Sequence, residues 1–255
     1  LAIYSRAVNA QAELEAVLAK SFPWCVGWAE ELKTLFGAYV EAKQAQNVLD
    51  YDDLLLWWAQ MCAEPAIVEQ LRSRFDHILV DEYQDTNRLQ AAILTALKPD
   101  GRGLTVVGDD AQSIYSFRAA EARNILDFPG LFPEPARIVT LDRNYRSTNT
   151  VLDAANAVIG EASDRFTKNL WTERRSAEKP LLVTVRDDAE QANYVCDRVL
   201  EERESGTALR AQAVLFRAPH HSGPLEVELT RRNIPFVKFG GVKFLDSPHV
   251  KDVLA

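Results

Sequence analysis

The sequence predicts an α/β fold in which parallel sheets follow a helical segment. Three observations carry that reading. Apolar, β-branched runs at Ile78-Leu79-Val80, Leu104-Thr105-Val106-Val107 and Ile138-Val139-Thr140-Leu141 each break off abruptly into polar residues. A helix-periodic stretch separates the first two runs, and such alternation implies a parallel sheet with right-handed crossovers. Residues 1 to about 70, by contrast, show apolar spacing of helical period.

Taken in order, Leu14, Val17 and Leu18, then Trp24, Trp28, Leu32, Leu35 and Phe36, predict packed amphipathic helices interrupted at Pro23. The Trp24/Trp28 and Trp57-Trp58 pairs read as helical core, with base-stacking platforms as the alternative. The first strand ends in Asp81-Glu82. Asn87 caps the helix that follows, with Leu89, Ile93, Ala96 and Leu97 as its apolar stripe. The second strand runs into Gly108-Asp109-Asp110, and the third into Asp142-Arg143-Asn144-Tyr145-Arg146-Ser147. Carboxyl ends of parallel strands share one edge, where open α/β sheets place their ligand crevice.

Beyond that edge, Ser147-Thr148 start a helix with Val151, Leu152, Ala155, Val158 and Ile159 on one face, closed by Gly160. Residues 161–180 read as a polar, basic connection with little pattern. Strands are expected at 181–185, 213–216 and 236–239. Helices are expected from Asp187/Asp188 (Ala192, Val195, Val199 and Leu200 inward), over 224–232, and from Ser247.

Composition bounds the function. With 255 residues, 47% of them hydrophobic, the chain can bury a sizeable core and is long enough for two domains. No apolar run approaches a membrane span and no signal peptide is recognisable, which predicts a soluble, cytoplasmic protein without membrane contact. Cys25, Cys62 and Cys196 are scattered and odd in number, so neither a disulfide framework nor a zinc site is indicated. His77, His220, His221 and His249 form no ligand constellation. The net charge of −8 argues against a surface that binds nucleic acid over its whole extent, but leaves room for a narrow groove.

The chemistry concentrates at the strand tips. An Asp at the end of a strand can hold Mg²⁺ on a nucleotide, and the next Glu can orient or deprotonate an attacking water. A bare Asp-Glu pair can equally do no more than end a core strand. Its context decides: DEYQDTN at 81–87, GDDAQSIYSFRAA at 108–120 and LDRNYRS at 141–147 resemble three ordered motifs of the UvrD/Rep-type DNA helicases of superfamily 1. Leu49-Asp50-Tyr51-Asp52-Asp53-Leu54-Leu55 upstream fits the same family. So do Ala213-Val214-Leu215-Phe216-Arg217, Ile234-Pro235-Phe236, Gly240-Gly241-Val242-Lys243-Phe244 and Val250-Lys251-Asp252-Val253-Leu254.

The resemblance implies parts of two RecA-like P-loop NTPase lobes with parallel sheets, preceded by a helical insertion subdomain. Residues 1–70 would be that insertion, 71–137 the carboxyl half of the first lobe, and 138–255 the amino-terminal part of the second. It implies ATP and Mg²⁺ as cofactors, and single-stranded DNA and single-strand/duplex junctions as partners. Asp81 would hold Mg²⁺ and Glu82 would be the catalytic base. Gln112 would sense the γ-phosphate, and Arg146 would be the arginine finger. Tyr145 would stack on adenine, and Tyr115, Phe117 and Arg118 would contact DNA. Phe117 stands where many relatives carry Trp, and Ala119 where Gly is usual.

No G-x-x-x-x-G-K-[ST] phosphate loop occurs in the sequence, which begins with Leu1. The expectation is therefore an internal piece of a longer helicase, inactive as an ATPase on its own, whose parent travels 3′→5′. Two other classes compete. Gly108-Asp109-Asp110 resembles the GDD of template polymerases, but Ala111-Gln112-Ser113 does not continue as the required hairpin. A degenerate motor acting only as a DNA- or protein-binding module is the stronger rival, and the intact Asp81, Glu82, Gln112 and Arg146 speak against it.

Overall fold

Helices α1 (Ala2–Ala10), α2 (Leu14–Ser21), α3 (Ala29–Gln46), α4 (Tyr51–Ala63) and α5 (Pro65–Arg72) precede the first strand. The structure, a computed structural model, describes residues 1–114, 120, 121 and 123–240. Tyr115, Phe117 and Arg118, and the helix expected from Ser247, lie outside the described residues. The chain divides into two compact units, Leu1–Pro180 and Leu181–Ala255. No helix among the described residues is long and apolar enough to cross a membrane.

In the first unit, β1 (Ile78–Val80) pairs in parallel with β2 (Leu104–Val106), in the register Ile78↔Leu104, Leu79↔Thr105 and Val80↔Val106. The crossover is α6 (Arg88–Leu97), whose start Asn87 and Gln90 fix reciprocally as a capping box. Its apolar stripe is the expected one, with Leu89, Ile93 and Leu97 buried. Cys62 of α4 and Val68 of α5 join Ile93 and Leu97 in one core cluster, on which Ile78 packs. Val80, Leu104 and Val106 pack instead on a second cluster of Tyr83, Ile125, Phe128 and Phe132. Gly103 closes the return to β2 at φ +74°, and a Cβ there would stand 2.4 Å from the Asp76 carbonyl oxygen, so only glycine fits.

The first helices are tied to this sheet by a polar seam. Lys43 of α3 is buried and donates to Asp50 at 2.8 Å, to both carboxylate oxygens of Asp53 at 2.7 and 2.8 Å, and to the Tyr4 hydroxyl at 3.3 Å. Burial alone would push the ammonium toward its neutral form. The bonds to Asp50, Asp53 and Tyr4 outweigh it and hold the Lys43 pKa above its usual value. Alongside, Asn9 donates to Asp52 at 2.6 Å and accepts from Asn87 at 2.8 Å, joining α1 and α4 to the cap of α6.

Several expectations give way. Trp24 and Trp28 are 73% and 61% exposed, and Trp57, Trp58 and Leu35 are exposed as well, so these Trp side chains are not core. α3 buries Lys43 rather than an apolar stripe, because the charge partners of Lys43 sit on its inner side. The third strand, 138–141, and those at 181–185, 213–216 and 236–239, are not hydrogen-bonded strands; the sheet has two strands among the described residues. A β-branched run becomes a strand only with a neighbour to complete its ladder. These runs stay unpaired, with Leu141, Leu182, Leu215 and Phe239 among their exposed members. α7 (Arg123–Asp127) and α8 (Asn149–Gly160) complete the first unit; α8 has the expected span but buries Leu152 and leaves Val151 and Val158 exposed.

In the second unit, the side chain of Asp187 accepts from the Glu190 amide and caps α9 (Asp188–Glu204). α9 packs on α10 (Gly223–Arg231) through Cys196, Leu229 and Ile234. The ion pair of Lys238 with Glu226, at 2.7 Å, is buried beside Ser222. Cys62 and Cys196 are buried free thiols, as their apolar neighbours imply, and burial pushes both above the usual thiol range.

The polar seam sets the first prediction. Lys43→Met strands Asp50 and Asp53 in a partly dry pocket, and should cost about 3–5 kcal/mol in urea unfolding. A loss well under that would show that water reaches the two carboxylates.

Candidate functional site

The two strand tips meet through one glutamine. Asp81 follows β1, and its carboxylate accepts from the Glu82 amide at 3.0 Å. Glu82 adopts a left-handed backbone, φ 51° and ψ 42°, which is uncommon for a residue with a side chain and clusters at functional sites. That turn lifts the Glu82 carboxylate clear of the core while Tyr83 drops into it. The Tyr83 amide donates to the Val107 carbonyl at 3.0 Å, extending the pairing of β1 and β2 beyond the strands themselves.

Gln84 is 1% exposed. Its Nε2 donates to Glu82 at 2.7 Å and its Oε1 accepts from the Asp109 amide at 3.0 Å. Gly108 makes room for it: a Cβ there would lie 2.6 Å from Gln84 Oε1 and 2.6 Å from Ile125. Asp109 in turn accepts from Gln112 Nε2 at 2.9 Å and from the Ala111 amide at 3.0 Å. A continuous hydrogen-bonded chain therefore runs Glu82–Gln84–Asp109–Gln112.

Lys168 closes the group. Its ammonium bonds Asp109 and lies 3.2 Å from Asp110, whose other oxygen accepts from the Phe166 amide at 3.1 Å. Burial works to raise the Asp109 pKa, but its bonds from Gln112 and Lys168 prevail and hold it below the usual carboxylate range. Asp85 goes the other way: burial, then repulsion from Glu82, lift its pKa, and its Oδ1 is a buried oxygen without a hydrogen-bond partner among the described residues. Asp109, Asp110 and Lys168 also form part of the wall of a groove of about 850 Å³ along β2, which Asp81 and Glu82 do not line.

Tyr145 and Arg146 sit on a separate turn. Asn144 accepts from the Arg146 and Ser147 amides at 2.9 and 2.7 Å, and this fixes the turn. The segment is anchored where residue 143 bridges residue 171, through the Asn144 amide to the Trp171 carbonyl at 2.7 Å and the Trp171 amide to the Asp142 carbonyl at 3.0 Å. The Arg143 guanidinium lies 4.9 Å from the Tyr145 ring and 5.2 Å from that of Trp171, with Glu173 at 2.7 Å. Tyr145 is left 72% exposed, and among the described residues Arg146 has no ionic partner. No described hydrogen bond joins this turn directly to Glu82 or Gln112.

Of the residues singled out from sequence, Glu82 and Gln112 are thus brought together, Asp81 adjoins them, and Tyr145 and Arg146 stand apart on their own platform. Gln84 and Lys168 were missed. Gln84 lies inside DEYQDTN but has no charge to attract notice. Lys168 lies in a stretch whose order comes from contacts distant in sequence, which periodicity cannot report.

For a divalent cation, the residues offer exposed hard oxygen donors at Asp81 and Glu82 and the unpartnered oxygen of Asp85. Among the described residues no group of three or more His, Cys, Asp and Glu forms an all-protein cage. That suits Mg²⁺, which keeps water and phosphate ligands and takes one or two carboxylates.

The family model for the UvrD/REP helicase N-terminal domain matches residues 14–133, and that for the UvrD-like helicase C-terminal domain matches residues 139–255. The chain belongs to the UvrD/REP helicase family. The ATP-dependent DNA helicase PcrA of Staphylococcus aureus and that of Staphylococcus epidermidis are each 35% identical to it over 228 residues. That region is 89% of this chain and 31% of each relative, so the chain spans about a third of their length.

The close approach at Gly108 yields a prediction. Gly108→Ala should destabilise by about 1–3 kcal/mol, as an overpacked site does, because Gln84 and Ile125 must both move. An unchanged urea midpoint would show that Gln84 has slack, and with it the whole chain from Glu82 to Gln112.

Proposed function

We propose that this chain is part of an ATP-dependent DNA helicase that couples Mg-ATP hydrolysis to 3′→5′ movement on single-stranded DNA and to duplex unwinding. The observation that carries this reading is the hydrogen-bonded chain Glu82–Gln84–Asp109–Gln112 across the carboxyl ends of two parallel strands. It joins a carboxylate suited to a base with a neutral amide suited to sensing a phosphate. The names and domain matches of the relatives support the same activity, and the polarity rests on family resemblance.

In this reading Asp81 would hold Mg²⁺, directly or through water, and the ion would supply neutralisation of phosphate charge. Glu82 orients the attacking water and takes its proton. Its carboxylate needs no special pKa, because phosphoryl transfer depends chiefly on positioning and on charge. Gln84 keeps the Glu82 carboxylate pointed by donating to one of its oxygens. Gln112 exchanges its bond to Asp109 for one to the γ-phosphate, so nucleotide state is felt at the segment that follows it. Arg146, exposed and without an ionic partner among the described residues, offers its guanidinium to the transferring phosphate. Tyr145 presents a ring face to adenine, backed by Arg143. Tyr115, Phe117 and Arg118 grip single-stranded DNA, with stacking worth about 1–3 kcal/mol per base.

The domains follow: a helical insertion over 1–70, the carboxyl half of the first motor lobe over 71–137, and the start of the second over 138–255. The partners are single-stranded DNA and its junctions with duplex, and the compartment is the cytoplasm.

Two measurements on the full-length gene product test this. Glu82→Gln should bind ATP normally yet lose roughly 10²–10⁴-fold in kcat, the usual contribution of a general base. Near-normal turnover would remove Glu82 from the role, and a parent without DNA-stimulated ATPase would favour the binding-module reading. Phe117→Ala should weaken stimulation by single-stranded DNA while leaving DNA-free ATP binding intact. Unchanged stimulation would return Phe117 to the core.

A further inference from the structure

We propose that Lys168 is a positioning residue for ATP hydrolysis: it cancels charge on Asp109 and Asp110, and so fixes Gln112 and, through Gln84, Glu82. The inference rests on the helicase reading above and adds a residue which that reading does not need. Asp109 and Asp110 are adjacent carboxylates at the tip of β2, with side chains 26% and 5% exposed. Left to themselves they repel one another, and both repel an incoming polyphosphate. Lys168, 14% exposed, is the cation bonded to both. Asp109 is also the junction of the site, since its amide holds Gln84 and its carboxylate holds Gln112.

The placement of Lys168 adds a mechanical argument. It belongs to the part of the chain matched by the C-terminal helicase domain, whereas Asp109 and Asp110 belong to the N-terminal one. Its segment is braced on either side. Phe166 packs against the Tyr83, Ile125, Phe128 and Phe132 cluster, and its amide holds Asp110. Leu170 exchanges two hydrogen bonds with Asn156 of α8, at 2.9 and 3.1 Å. Trp171 bridges Arg143, two residues before Tyr145. One short run thus touches the junction carboxylate at one end and anchors the Tyr145–Arg146 turn at the other. Lys168 passes the position of that turn to Gln112.

The test is a double-mutant cycle in the full-length protein: Lys168→Met, Asp109→Asn and the pair, with kcat and KM for ATP read at saturating single-stranded DNA. Lys168→Met should lower kcat roughly 10- to 100-fold, the usual worth of a hydrogen bond to a charged group, with KM moved by less than about threefold. Lys168→Arg, which keeps the charge, should restore most of kcat. The double variant should lose less than the sum of the two single losses, because Lys168 acts largely through Asp109. Additive losses, or a Lys168→Met enzyme with wild-type kcat, would overturn the proposal while leaving the helicase reading intact. A wild type without turnover would overturn both. If Lys168→Met does not melt cooperatively, Lys168→Gln, which keeps a donor and loses the charge, carries the same cycle.

Discussion

The Gln84 amide is the interaction on which the site depends. It is buried to 1% exposure between two acidic strand tips, donating to Glu82 and accepting from the Asp109 amide. A side-chain amide offers a donor and an acceptor on separate atoms of one planar group, without charge. A carboxylate there would repel Glu82, and an apolar side chain would leave the Asp109 amide unpaired. The unfavourable left-handed backbone at Glu82, a strain of order 1–3 kcal/mol, is held by the contacts around it. The Asp85 amide closes a turn onto the Glu82 carbonyl at 2.9 Å, and Tyr83 continues the pairing of the strands. The missing Cβ at Gly108 is the steric side of the same arrangement.

The helical segment is not a passenger on this site. Asn87 ends the DEYQDTN motif, caps α6 and donates to Asn9, which holds Asp52. Asp52 lies between Asp50 and Asp53, the two carboxylates that neutralise Lys43. The acidic run 50–53 therefore does two things: it caps α4 and it ties α1, α3 and α6 together by charge and hydrogen bond. Polar seams of this kind add less net stability than apolar packing, but they fix which surfaces meet. Trp24 and Trp28, outside this seam, stand exposed rather than filling a core.

Local signals were legible in the sequence and long-range ones were not. The cap at Asn87, the stripe of α6, and the positions of β1 and β2 depend on residues a few positions apart, and each lies where its pattern places it, with β2 ending one residue early at Val106. The run 138–141 has the same β-branched character as β1, yet stays unpaired, because a ladder needs a neighbour as well as a propensity. Within the site, charge made Asp81, Glu82 and Arg146 conspicuous, whereas Gln84 acts by hydrogen bonding alone. Lys168 could not be read at all: its partners lie 58 and 59 positions away, in a segment with neither strand nor helix period.

Charge gives the remaining step. Asp81, Glu82, Asp85, Asp109 and Asp110 crowd the carboxyl ends of two short strands, and Lys168 neutralises only the last two. Asp85 already registers the excess, since its pKa is raised by burial and by Glu82 and one of its oxygens lacks a partner among the described residues. An edge so acidic repels a bare polyphosphate and attracts a divalent cation. On the proposed reading it therefore admits nucleotide as the metal complex, in which the ion cancels charge on both sides at once. Arg146 lies outside this balance: it is exposed, and among the described residues its guanidinium meets no carboxylate that would compete for it. On that same proposed reading, acidic residues gathered to accept a cation and an arginine kept apart from them would serve one anionic substrate from two sides.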